Sequence, residues 1–174
     1  ARLIRSARGG DLSLILRPRP ADGQYDGTLA ITETRVQNAP ALANLLSAVS
    51  VIGLLDQMAN QGVLFTNIDA KFVLTPDVIA VTESSATGPS LGISMDGTYR
   101  PSNSQMDMQG VFSPLYLLNG IGSFLTRPGE GLIGFNFTLA GDPSEPQVAV
   151  NPLSALTPGM FREIFRRPAP RVSQ

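Results

Sequence analysis

The stretch "IDAKFVLTPD", Ile68 to Asp77, decides the fold. Apolar Ile68, Ala70, Phe72 and Leu74 alternate with Asp69 and Lys71, and Thr75-Pro76-Asp77 then signals a turn. Period-two alternation places one set on each face of a strand, with the apolar set inward. A turn directly after such a run favours a strand that folds back on its neighbour.

The same rhythm recurs on both sides of this segment. Leu12, Leu14 and Leu16 alternate with Asp11, Ser13 and Arg17. Met106, Met108 and Phe112 oppose Gln105, Asp107 and Gln109, and Ile133, Phe135, Phe137 and Leu139 oppose Gly134, Asn136 and Thr138. Asp22-Gly23, Gly88-Pro89, Pro101-Ser102-Asn103 and Asp142-Pro143 supply further turns. Connections this short predict an antiparallel meander with one apolar face.

Three segments depart from that pattern. From Pro40, Leu42, Leu45, Leu46, Val49 and Ile52 recur at helical spacing up to Gly62, a stop signal. Charge is absent between Arg35 and Asp56, but Gln37, Asn38, Asn44, Ser47, Ser50 and Gly53 interrupt the run. A membrane span needs about 20 predominantly apolar residues, so a helix packed on the sheet is the expectation. A second short apolar helix is expected from Ser113 to about Thr126, with Ser113 as cap and Pro114 in the first turn. It would carry Leu117, Leu118 and Phe124. A third follows Thr157-Pro158, with Phe161, Ile164 and Phe165 on one face and Arg162, Arg166 and Arg167 beside or behind it. Pro168 ends it, and residues 167–174 are expected to form a flexible tail.

Composition narrows the chemistry. The 174 residues are 43% hydrophobic and only 16% charged, with a formal net charge of −1. These values suit one folded domain and give no electrostatic case for nucleic acid. The 17 Gly and 14 Pro fit a turn-rich β architecture. Cysteine and histidine are absent. Disulfides and thiolate zinc sites are thereby excluded, and the commonest general base is missing, which weighs against an enzyme. Gly88-Pro89-Ser90-Leu91-Gly92 fits the nucleophile-elbow spacing, but it is flanked by strand pattern and has no histidine partner. A Ser–Lys pair would have to use Lys71, the single lysine. Gly129 to Gly134 fits the dinucleotide spacing but opens a strand pattern rather than a helix. No metal, cofactor or catalytic residue is therefore expected. The chain starts at Ala1 without a signal peptide, and it is expected to be part of a longer or processed product.

One resemblance covers about Gly27 to Phe165. "GEGLIGFNFTLAGDPSEPQVAVNPLSALTPGMFREIF" resembles the C-terminal end of the bacterial AsmA-like superfamily, in particular its long YhdP-type members. "NAPALANLLSAVSVIGLLDQMANQGVLF", "ATGPSLGISMDGTY" and "QGVFSPLYLLNGIGSFL" are similar to the same region, in the same order. The stretch after Asn119 is shorter than in many members and lacks their Pro-Leu-Leu-Gly run.

The resemblance implies a predominantly β, α+β domain over residues 1–166: a curved antiparallel meander, half-pipe or taco-like, with three short apolar helices on one face or end. Residues 1–26 would continue an upstream β-rich body. It further implies a non-enzymatic phospholipid-transport protein of outer-membrane biogenesis, in the periplasm of a Gram-negative bacterium and anchored in the inner membrane. Its partners would be phospholipid or another acyl-chain lipid, a membrane surface and an envelope protein. Phe72, Leu74, Met106, Met108, Phe112, Ile133, Phe135, Phe137 and Leu139 are the groove candidates. Leu117, Leu118, Phe124, Phe161, Ile164, Phe165, Arg162, Arg166 and Arg167 are the docking or membrane-facing candidates. The competing expectation is a periplasmic scaffold or interaction module whose apolar core is closed by the helices.

Overall fold

The computed structural model describes residues 7–49, 52–114, 134–151 and 167–172. These form a predominantly antiparallel β structure with few helices, in one open sheet of nine strands. In chain order the elements are β1 (Ala7–Arg8), β2 (Asp11–Pro18), β3 (Tyr25–Val36), α1 (Pro40–Ala48), α2 (Ile52–Asn60), β4 (Val63–Leu74), β5 (Ile79–Thr87), β6 (Leu91–Arg100), β7 (Gln105–Pro114), β8 (Phe135–Gly141) and β9 (Gln147–Asn151). Both β1 and β2 pair with β3, and from β3 onward each strand pairs with the next. Strands β1 and β2 thus share one edge of the sheet, and β9 forms the other.

The turn residues act as their chemistry requires. Thr75 N–H donates to the Val78 carbonyl at 2.9 Å, and Val78 N–H donates back to the Thr75 hydroxyl at 3.0 Å. The Asn103 side chain accepts from Gln105 N–H at 3.2 Å, and Asp142 accepts from Ser144 N–H at 2.8 Å. These are side-chain-supported turns of the kind that fix the register of the flanking strands. Gly88 N–H donates to the Leu91 carbonyl at 3.0 Å, so the Gly88 to Gly92 stretch is a hairpin connection.

The expected helix from Pro40 to Gly62 is two nine-residue helices instead. Pro40 lies in the first turn of α1, where a missing N–H costs nothing. After Ala48, Val49 closes the helix through its N–H to the Leu45 carbonyl at 3.2 Å. Gly62, at φ +78°, donates to the Gln57 carbonyl and ends the second helix as expected. No helix among the described residues is long and apolar enough to cross a membrane. Ser113 and Pro114 are not a helix start. They are the last residues of β7, opposite Gly92 and Leu91 of β6, where the loss of one donor at a strand end is tolerated. The remainder of that expected helix, and the expected helix after Thr157, lie outside the described residues.

One core joins the helices to the sheet. Leu42, Leu45 and Leu46 of α1 and Met58 of α2 cluster with Val63, Phe65, Leu91, Met108, Phe112, Phe137 and Leu139. The Asn44 amide reaches from α1 to the Pro146 carbonyl at 3.2 Å and so fixes the helix beside the β8–β9 turn. Leu46 is fully buried, whereas Leu12 on β2 is 55% exposed. Truncating a buried leucine removes transfer energy and leaves a cavity. Leu46→Ala should therefore lower the unfolding free energy by about 2–5 kcal/mol in urea titrations. Leu12→Ala should change it by no more than about 0.5 kcal/mol.

Candidate apolar groove

Residues opposed across an antiparallel pair point to the same side of a sheet. Tracing such pairs strand by strand yields continuous apolar rows. One runs Leu12, Ile31, Ile68, Ala86, Ile93, Phe112 and Phe135. Another runs Leu16, Gly27, Phe72, Val81, Gly97, Met108, Leu139 and Val148. A third runs Pro18, Tyr25, Leu74, Ile79, Tyr99, Met106 and Gly141. None of these positions carries a charge.

The rows stay in phase because β5 carries one extra residue. Lys71 opposes Glu83 but the next residue, Phe72, opposes Val81, so Thr82 has no opposite number on β4. The pairing of β5 with β6 shifts over the same stretch, between Val81 and Ser85. Without this β-bulge, Val81 and Ala86 would face opposite sides, since their separation is odd. Two aromatic rings also lie over glycines directly opposite them. Phe72 covers Gly27, and Phe137 covers Gly110, where an added Cβ would come within 2.7 Å of the ring. Each glycine thus makes room for a ring to lie flat along the sheet.

Of the expected groove residues, Phe72, Leu74, Met106, Met108, Phe112, Phe135, Phe137 and Leu139 all belong to this face. Ile133 lies outside the described residues. Coverage of the face is uneven. Met108, Phe112, Phe137 and Leu139 are buried in the cluster with α1, so as lining of an open groove these four are corrected to core. Leu42, Leu45 and Leu46 of α1 belong to the same cluster. Phe72, Leu74 and Met106 are half-buried. Towards β2 the face opens: Leu14 is 52% exposed, Leu16 44% and Tyr25 37%. Half-buried Leu29 and Ile31 of β3 adjoin the same region and were not among the expected groove residues, although Tyr25, Gly27, Leu29 and Ile31 alternate.

The opposite face is polar and holds a cavity of about 710 Å3, lined by Thr28, Asp69, Lys71, Glu83, Asp96 and Arg167 among others. Lys71 is engaged by Glu83 at 2.9 Å, while the Ser90 hydroxyl reaches Gln57 at 3.4 Å, so a Ser90–Lys71 pair is not assembled. Among the described residues no cluster of three or more carboxylates could hold a metal. Arg167, expected to begin a loose tail and to face a membrane, is instead held on this face. Its guanidinium makes a two-pronged ion pair with Asp107, at 2.7 and 3.0 Å. Its backbone N–H donates to Gln109 Oε1 at 2.9 Å, and Gln109 Nε2 donates to its carbonyl at 2.6 Å. The remaining docking candidates, Leu117, Leu118, Phe124, Phe161, Ile164, Phe165, Arg162 and Arg166, lie outside the described residues. No family model, curated protein or solved structure matches the chain.

The hydrogen bonds from Arg167, and then its charge, hold the Asp107 carboxyl below its ordinary value of 3.8. The ion pair is therefore intact above that value and weakens as pH falls through the lower folded value. The pair is solvent-exposed, so its contribution is small. Protection of the Arg167 amide against hydrogen exchange should fall on acidification through this range. Gln109→Leu should abolish the protection at neutral pH, and Asp107→Asn should remove its acid dependence.

Proposed function

We propose that the open part of the apolar face binds acyl chains of a lipid, in a non-enzymatic protein of phospholipid transport across a bacterial envelope. In this reading the sheet curves into a half-pipe, three apolar helices close or dock one end, and lipid lies against β2, β3 and β4. The observation that carries the proposal is a set of charge-free apolar rows, buried at Met108, Phe112 and Leu139 in one cluster with the α1 leucines and exposed at the β2 edge. An apolar site with few polar groups is what an acyl chain requires, since each buried methylene contributes about 0.8 kcal/mol. The resemblance of the helical and C-terminal segments to the AsmA-like superfamily supports the same class of ligand. It also supports a periplasmic location and an inner-membrane anchor elsewhere in a longer protein. A closed scaffold accounts for the buried half of the face but not for the exposed Leu12, Leu14 and Leu16.

Native mass spectrometry after incubation with vesicles of phosphatidylethanolamine and phosphatidylglycerol tests this. The protein should retain phospholipid in defined stoichiometry. Leu29→Asp and Leu74→Asp should each reduce occupancy at least about tenfold, the loss expected when roughly 1.4 kcal/mol of apolar contact is removed. Far-ultraviolet circular dichroism should stay unchanged. A protein that takes up no phospholipid, or one whose uptake ignores both substitutions, would overturn the proposal.

A further inference from the structure

Strand β2 has no partner on its outer edge among the described residues, and all eight of its residues are exposed. Its side chains are not those that normally protect an edge: Leu12, Leu14, Ile15 and Leu16 are all exposed apolar residues. We infer that this edge pairs with the same edge of a second copy of the chain, antiparallel about a two-fold axis at Leu14.

The argument is one of self-complementarity. With Leu14 opposite Leu14 of the second copy, Leu12 opposes Leu16 and Leu16 opposes Leu12, and all six leucines lie on the apolar side. On the other side, Asp11 then opposes Arg17 of the second copy, and Arg17 opposes its Asp11. Neither Asp11 nor Arg17 has an ion-pair partner among the described residues, and within its own sheet Arg17 already sits opposite Asp26. Asp26 is itself engaged by Arg19 at 3.8 Å, so Asp11 of the second copy is the carboxylate left for Arg17. The ends of the ladder coincide as well. Gly9 and Gly10, at φ +74° and +87°, interrupt the strand before Asp11, and Pro18 at the other end has no N–H to give. In the same register Gly10 opposes Pro18. Sliding the strands by two residues in either direction sets Arg17 against Ser13 or Gly9 and loses both ion pairs. Like-with-like pairing about a two-fold axis is the usual way a chain closes an assembly on itself. Such a dimer would join the two apolar faces into one surface. The inference rests on the edge strand alone and does not depend on lipid binding.

One pair of short strands buries less than the roughly 1,200 Å2 of a standard interface, so a reversible, concentration-dependent dimer is expected. Sedimentation equilibrium of the lipid-free chain over micromolar to submillimolar concentrations reads it. Asp11→Arg and Arg17→Asp, each of which sets like charges opposite one another, should each weaken the dimer at least about tenfold. The double variant Asp11→Arg/Arg17→Asp should restore it, a recovery that general loss of stability would not give. The chain has no cysteine of its own, so Leu14→Cys is a second readout. Its two copies would sit at directly opposed positions, within the Cα separation of about 4.4–6.8 Å that a disulfide spans. Mild oxidation should cross-link Leu14→Cys efficiently and the exposed control Thr28→Cys poorly. A chain that stays monomeric throughout, or a dimer indifferent to both charge reversals, would overturn the inference.

Discussion

One extra residue in β5 keeps the apolar face continuous. A sheet built from alternating strands has a face only if each strand enters in the right phase, and a shift of one residue turns every side chain over. In β5 the apolar residues on the two halves of the strand, Ile79 and Val81 against Ala86, are out of phase by one. The bulge at Thr82 corrects this, so Phe72, Val81 and Met108 meet in one row while Ile68, Ala86 and Ile93 meet in another. The cost is locally disrupted pairing between two strands, and bulges at such positions also bend the sheet. Thr82 itself finds a partner by donating to the Lys71 carbonyl at 3.1 Å.

With the face in phase, two separate decisions set its character. The first is where α1 lands. The Asn44 contact to the Pro146 carbonyl seats it near the β8–β9 turn, and its leucines join one core cluster with Met108, Phe112, Phe137 and Leu139. The second is what covers the remainder. Each fully buried leucine contributes about 1.5–3 kcal/mol, so leaving Leu12, Leu14 and Leu16 in water forgoes several kcal/mol that a closed core would have gained. An apolar surface of that kind, contiguous and rimmed by polar residues, marks an interaction site more often than a packing defect.

Much of this was legible in the sequence. The strands carrying Ile68 to Leu74, Gln105 to Phe112 and the run ending at Leu139 follow from alternation, and their apolar residues do share a face. The short turns and the helix start at Pro40 follow from local chemistry. Other features needed three dimensions. Whether an apolar strand residue lines a groove or a core depends on where a helix packs, and nothing in the alternation of Met106 and Met108 distinguishes the half-buried residue from the buried one. The break between α1 and α2 was masked by helical spacing that continues across it. Ser113-Pro114 reads as a helix start because the same pair suits either a first turn or the end of an edge-free strand. Strand β5 is legible only as strand pattern before Gly88, because its phase shift, Val81 against Ala86, breaks the period-two signal that would assign its faces.

The contact between Gln109 and Arg167 has a further consequence. A carboxamide has one donor and one acceptor side by side, as a peptide unit does, and here it meets the N–H and C=O of a single residue. It therefore recognises main chain, and any amino acid could stand at that point except one. The next residue is Pro168, which has no N–H to offer. If the segment slipped by one position, the clamp would meet that imino acid and half of it would fail, while the guanidinium would move off Asp107. Proline here acts as a ratchet tooth that bars a slip in that direction.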